Sequence, residues 1–284
     1  MTTITASAVK ELREITGVAM MDCKKALVET NGNMEEAKDF LRKKGQAKAL
    51  KKSARETHEG AVGFSLSEDG KTAGLVKVTC ETDFVARNEK FLALIKKLAD
   101  QVSANGEKNL MQQNLIDGGG NVEGMLTNTI SELGENMQIL SSKKFKINHG
   151  LIGGYVHSNG KIGVAVPLET DQPCNDDRLK SLAKDIAMHI AAFQAEAVNP
   201  DQVPEEVLEK EKEVFTAQAK ESGKPENIIE QMIEGRLKKY VKEICVESQP
   251  FVKDPQFSVS QILEQTAKEL GVKIHFETFE KYQF

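Results

Sequence analysis

Apolar residues recur along this chain with two different periods, and the changes of period divide it. From residue 5 to 44 the spacing is helical: Val9 and Leu12 with Ile15 or Thr16 stop at Gly17, and Met21 and Leu27 stop at Asn31-Gly32. A third run (Ala37, Phe40, Leu41) follows the capping pair Asn33 and Glu36. Three helices this short share a thin core, which suits a docking module better than an enzyme. Met20 and Met21, between the first two, fit either that core or an adaptable apolar contact surface. Lys43, Lys44, Lys48, Lys51, Lys52 and Arg55, interleaved with alanines, predict a solvated basic linker, helical or flexible.

The period then falls to two. Leu75, Val76, Val78 and Thr79 read as a strand, and a helical pattern begins at Glu89. Thr82 or Asp83, in the stretch between, is placed to cap that helix. Phe84 has two readings. It is a core side chain under a capping turn, or a loop-borne apolar tip shaped to enter another protein.

The same pattern returns ninety residues on. Gly60-Ala61-Val62-Gly63, Gly70-Lys71, Gly74 and Glu81-Thr82-Asp83 are echoed by Gly150-Leu151-Ile152-Gly153, Gly160-Lys161, Gly163 and Glu169-Thr170-Asp171. Each block reads as strand, hairpin turn and strand, followed by a helix (Phe91, Leu94, Ile95, Leu98, Val102 in one; Leu179, Leu182, Ile186, Ile190, Phe193 in the other). Two related α+β subdomains are the simplest account. Met137, Ile139, Phe145 and Ile147 suggest a further strand.

Charge-rich helical patterns fill 204–222 and 225–246, with Val207, Val214, Ala217, Ile228, Ile229, Met232, Ile233, Leu237 and Val241 expected on their inner faces. Joined at Gly223-Lys224-Pro225, they predict a projecting antiparallel hairpin, either self-contained or a self-association surface. A helix from Ser258 or Ser260 to Gly271 and an alternating strand (Val272, Ile274, Phe276, Phe279) close the chain. The expected fold class is α+β. Its parts are 1–54 (helical module and basic linker), 55–140 (first subdomain), 141–198 with 247–284 (second subdomain) and 199–246 (inserted hairpin).

Composition narrows the function. A net charge of −5 gives no global basic field for nucleic acid, and no stacking aromatics accompany the basic stretch. The cysteines (Cys23, Cys80, Cys174, Cys245) form no CxxC pair and read as reduced thiols of the cytoplasm. The N-terminus lacks a signal-peptide pattern, and no 18-residue apolar run predicts a membrane span. Gly70-Lys71-Thr72 ends like a phosphate loop, but Ser65 stands where the earlier glycine belongs and the context is a hairpin turn. His58, His149, His157, His189 and His275 show no metal-ligand spacing, and no nucleophile stands with a base in a known elbow. Neither a catalytic residue, nor a cofactor, nor a metal is expected.

Two stretches carry a family resemblance. Leu12-Arg13-Glu14-Ile15-Thr16-Gly17-Val18-Ala19-Met20-Met21-Asp22-Cys23-Lys24-Lys25-Ala26-Leu27 and Cys80-Glu81-Thr82-Asp83-Phe84-Val85-Ala86-Arg87-Asn88 resemble the two signatures of translation elongation factor Ts. Ile186-Ala187-Met188-His189, Ser222-Gly223-Lys224-Pro225, Gly235-Arg236 and Gln249-Pro250-Phe251-Val252 match in family order. Ala19, Lys77 and Thr79 depart from the family's usual Gly, Glu and Asn.

The resemblance implies a guanine nucleotide exchange factor of elongation factor Tu, acting in the cytoplasm and making no bonds itself. It implies a ubiquitin-associated-like three-helix module, a two-part core and a coiled-coil hairpin that permits a homodimer. Thr82, Asp83, Phe84 and Val85 would enter the partner near its magnesium and displace it. Met20, Met21, Leu133 and His157 would make further contacts. The competing class is an interaction or RNA-binding protein working through the basic linker; a third is an enzyme built on the two α+β halves.

Overall fold

The computed structural model describes residues 4–220 and 225–284. Helices α1 (Ala6–Thr16), α2 (Met20–Glu29) and α3 (Met34–Lys52) pack around Leu12, Cys23, Leu27 and Ala37. Their boundaries have local causes. The Thr5 hydroxyl accepts from Ala8 N–H, Gly17 turns left-handed at φ 68° to end α1, and the Asn33 side chain accepts from Glu35 and Glu36 N–H. The basic stretch is helical to Lys52, and it is not simply solvated. Gly45 is buried against Ser131 and Thr127, while Lys44 and Lys48 reach back to Asp22 at 2.9 and 2.8 Å.

Two sheets form the body. The first has the antiparallel order β1 (Glu59–Leu66), β2 (Thr72–Cys80), β3 (Met137–Lys146). Its β2–β3 pairing runs on to Thr72 opposite Lys146, past residue 140, where the sequence places the subdomain boundary. The second sheet pairs β4 (Gly150–Val156) with β5 (Ile162–Thr170). Both hairpin turns need a residue at positive φ, and Gly70 (70°) and Gly160 (72°) supply it.

Each sheet is covered by a helix: α5 (Glu89–Asn105) over the first, α7 (Asp177–Ala192) over the second. The repeat extends to how these helices seat. A Cβ at Gly63 would overlap Ile95 of α5, and one at Gly153 would overlap the Ala183 carbonyl of α7. The other faces of the two sheets meet through Val62, Leu75, Phe145, Ile152 and Ala165. Helix α4 is the short turn Asp83–Ala86, and α6 (Val122–Leu133) flanks the first sheet's core.

Helices α8 (Glu205–Lys220) and α9 (Glu226–Ile244) pack as a hairpin. The expected turn residues Gly223 and Lys224, with Ser222 before them, lie outside the described residues; Pro225 opens α9. The α8 seam differs from the pattern read in the sequence. Val214 and Ala217 face solvent, and Leu208, Phe215 and Ala219 face inward, because the Phe215 ring packs edge-on against Tyr240 at 6.4 Å. Ile228 is also exposed, whereas Ile229, Met232, Ile233, Leu237 and Val241 point inward.

After a small hairpin of β6 (Pro250–Phe251) and β7 (Asp254–Ser258), Ser258 starts α10 (Val259–Leu270) with a full capping box. The closing strand is split. β8 (Ile274–His275) and β9 (Glu280–Gln283) pair with opposite ends of β5, and Phe276 and Phe279 pack into the core between them. Among the described residues no helix is long and apolar enough to cross a membrane.

Candidate functional site

The site is built where β2 ends. Its last residue, Cys80, is fully buried, and burial first, with the Glu135 charge second, pushes the thiol up to about 12. It therefore stays protonated and donates to Thr82 O at 3.2 Å. Thr82 is extended and caps α4 by accepting from Val85 N–H. The long helix beginning at Glu89 has its own cap, Asn88, which accepts from Lys90 N–H at 2.9 Å. Thr82 therefore caps the tip rather than the long helix that the sequence assigned to it.

This single turn sends neighbouring apolar residues in opposite directions. Val85 enters the core cluster with Phe91 and Leu94, while Phe84 is 83% exposed. Fully burying a Phe side chain is worth about 1.5–3 kcal/mol, and in the free protein Phe84 leaves that gain unrealised. Asp83 faces solvent beside Arg87, 3.5 Å away, an exposed pair that contributes little to stability. Of the two readings of Phe84, the structure has the exposed tip.

The tip is braced from a distant part of the chain. Helix α6 ends at Gly134 with φ 82°, and the next two residues fold over the end of β2. Glu135 Oε2 accepts from the Glu81 and Thr82 N–H groups at 3.1 and 3.0 Å, and its Oε1 accepts from the Thr82 hydroxyl at 2.6 Å. Glu81 returns the contact by accepting from Asn136 N–H at 2.6 Å, and Asn136 Nδ2 donates to Arg55 O at 2.7 Å. Glu135 and Asn136 were not read as site residues. The signal in the sequence is the polar Gly134-Glu135-Asn136 tripeptide directly after Leu133.

Leu133 is half-buried at the end of α6, one residue before that turn. Glu132 beside it binds Lys90 at 2.5 Å and lies where a Gly17 side chain would stand. Gly17 thus lets the α1–α2 turn approach α6. Met20 and Met21 follow that turn and are 49% and 65% exposed, so neither is core. Asp22, next along, is held down to about 2 by its hydrogen bonds to Lys48 and Lys44, and its salt bridges lock α2 to α3. His157 stands elsewhere, exposed on the β4–β5 turn, with Nδ1 2.9 Å from the Tyr155 hydroxyl.

Such an arrangement can press an apolar side chain into a partner from a rigid base. Among the described residues no group of three or more His, Cys, Asp or Glu is placed to hold a metal ion.

A family model described as Elongation factor TS matches residues 81–283, from the braced turn to the last strand. The Elongation factor Ts of Clostridium novyi (strain NT) is 45% identical over 284 residues, covering 99% of this chain and 92% of that protein. That of Clostridium perfringens (strain SM101 / Type A) is 44% identical, with the same coverage of 99% and 92%. That of Nitratidesulfovibrio vulgaris (strain DP4) is 44% identical over 99% of this chain and 95% of its own length. These matches place the chain among the elongation factors. The chain belongs to the elongation factor Ts family.

Proposed function

We propose that this chain is the guanine nucleotide exchange factor of elongation factor Tu, accelerating GDP release in the cytoplasm during translation. The observation that carries this reading is Phe84, an aromatic ring almost fully exposed on a turn braced by hydrogen bonds. Exchange requires no bond-making. The factor binds the nucleotide-free GTPase more tightly than the loaded one, and a ligand shifts an equilibrium by no more than its differential affinity for the two states. By linkage, factor and nucleotide weaken each other equally, so GDP leaves and a later GTP expels the factor.

In this reading Phe84 is the wedge and Val85 its anchor. Thr82 holds the turn, and Asp83 faces the region of the partner's magnesium. Displacing that ion removes the counter-charge holding the phosphates. Met20, Met21 and Leu133 extend the contact on one side, and His157 supplies a separate one from the second sheet. Self-association through the hairpin is a distinct proposal, supported by exposed Val214 and Ile228.

Stopped-flow release of fluorescent GDP from elongation factor Tu tests the reading. Wild-type protein is expected to accelerate release strongly, and Phe84→Ala to lose most of that acceleration while remaining folded. Unchanged release with the wild-type protein would overturn it.

A further inference from the structure

We propose that Glu135 is the positioning residue of the exchange tip, setting the direction in which Phe84 projects. This rests on the exchange-factor reading given above. Phe84 touches no brace of its own: its ring is in solvent, and its aim depends on the backbone of residues 81–85. That backbone emerges from β2 as a single turn, too short to hold itself by helical hydrogen bonding. Beyond the Cys80 thiol on Thr82 O and the burial of Val85, one carboxylate holds it, accepting from two consecutive backbone N–H groups and from the hydroxyl of the tip's own capping residue. Hydrogen bonds to a charged acceptor are the strong, directional kind.

The geometry also explains why Thr82 serves better than a bare acceptor. Its hydroxyl donates to Glu135 Oε1, which leaves its lone pairs for Val85 N–H. Brace and cap therefore run through one oxygen, and Glu135 orients the group that starts the tip. The brace is itself anchored, because Asn136 is tied to Glu81 and to the carbonyl of Arg55 just beyond α3. Leu133 leads into the same turn, so the two apolar contacts keep a constant offset.

Glu135 is not placed to touch the partner's nucleotide, and its effect should pass through Phe84. That predicts non-additivity. Glu135→Ala should lower the maximal rate of GDP release from elongation factor Tu at saturating factor by about ten- to a hundredfold, the cost of a misplaced group. The factor concentration giving half-maximal release should change much less. In the Phe84→Ala background, Glu135→Ala should add almost nothing, the signature of two residues acting as a unit. Glu135→Gln should restore most of the rate, since an amide oxygen can accept from both N–H groups while its NH2 donates to the Thr82 oxygen.

A structural readout stands beside the kinetics. Amide hydrogen exchange at Thr82 and Val85 should rise in Glu135→Ala, with the exchange of Val76 and Val78 in β2 unchanged. Should Glu135→Ala fail to fold, Thr82→Ala, which removes the hydroxyl that donates to Glu135, provides the same comparison. Additive rate losses in the double variant, or unaltered tip exchange, would overturn the positioning role and leave the exchange function standing. A normal rate in Phe84→Ala would instead overturn the wedge on which the proposal rests.

Discussion

Nε2 of His189 lies 2.8 Å from Oε1 of Gln249, with both side chains sealed inside the protein between α7 and the return from the hairpin. The Gln249 amide nitrogen already donates to Gln194 O and Glu243 O, so the histidine must be the donor in this pair. Its other nitrogen accepts from Val252 N–H at 3.2 Å, which leaves no place for a second proton. The two sequence matches around His189 and Gln249–Val252 are thus halves of one buried contact.

Burial holds the His189 pKa below its ordinary 6.5, against a smaller opposing effect of Gln249. The unfolded chain therefore binds the proton more readily than the folded one. Stability should be fully present above 6.5 and should decline as pH falls below it, through the folded-state value. Urea midpoints measured from about pH 8 to about pH 5 should show this slope, and His189→Gln should flatten it. Equal slopes in the two proteins would assign the pH dependence to other groups.

Adjacent residues of the tip should separate stability from function. Phe84→Ala removes a solvent-exposed ring and should change unfolding free energy by less than about 0.5 kcal/mol. Val85→Ala removes buried methyl groups from the core cluster and should cost about 1–2 kcal/mol. Chemical denaturation of both variants checks the contrast, and a large loss in Phe84→Ala would mean that its ring is buried in solution.

The repeated glycines should be unequal under substitution. At Gly153 a methyl group would overlap the Ala183 backbone, which cannot step aside without moving α7. At Gly63 the nearest atom is a methyl carbon of the Ile95 side chain, with the Ile95 carbonyl oxygen next at 3.0 Å, so the backbone there is less deeply overlapped. Gly153→Ala should therefore cost at least about 3 kcal/mol and Gly63→Ala about 1–3 kcal/mol in unfolding free energy. The reverse order would contradict the packing described.

Asp22 ties the Met20–Met21 helix to α3 through two lysines, so Asp22→Asn should loosen the module by about 1 kcal/mol. Since the folded carboxyl is held near 2 against an ordinary 3.8, the wild-type contribution should persist above 3.8 and fade as pH falls toward 2. Thermal melts of the wild type and the variant should converge on acidification. A constant gap would mean that the lysines do not act through charge.

Local signals carried much of this architecture. The echo of Gly60 and Gly150 announced two equivalent hairpins because tight turns and close helix approach demand glycine at fixed offsets. The helical runs were legible because one face of each is buried. What the sequence concealed was long-range. Glu135 lies far along the chain from Thr82, and its role exists only once the turn after α6 has folded over the end of β2. The α8 seam was displaced because the Phe215–Tyr240 contact, which hydrophobic spacing does not encode, outweighed Val214. The basic stretch looked solvated because Asp22, its partner for Lys44 and Lys48, belongs to another helix.

The hairpin leaves and rejoins the body at one place. Ala197 and Cys245 form a parallel bridge, and Val246 N–H and Glu247 N–H donate to Ala197 O and Val198 O. Strands so paired lie about 5 Å apart, a gap that a very short peptide spans. The excursion between these residues is consequently an appendix to the chain's path, not a link in it. Its length can grow or shrink by whole helical turns while the two sheets and the Phe84 tip keep their places. Variation in reach is thereby uncoupled from the exchange surface.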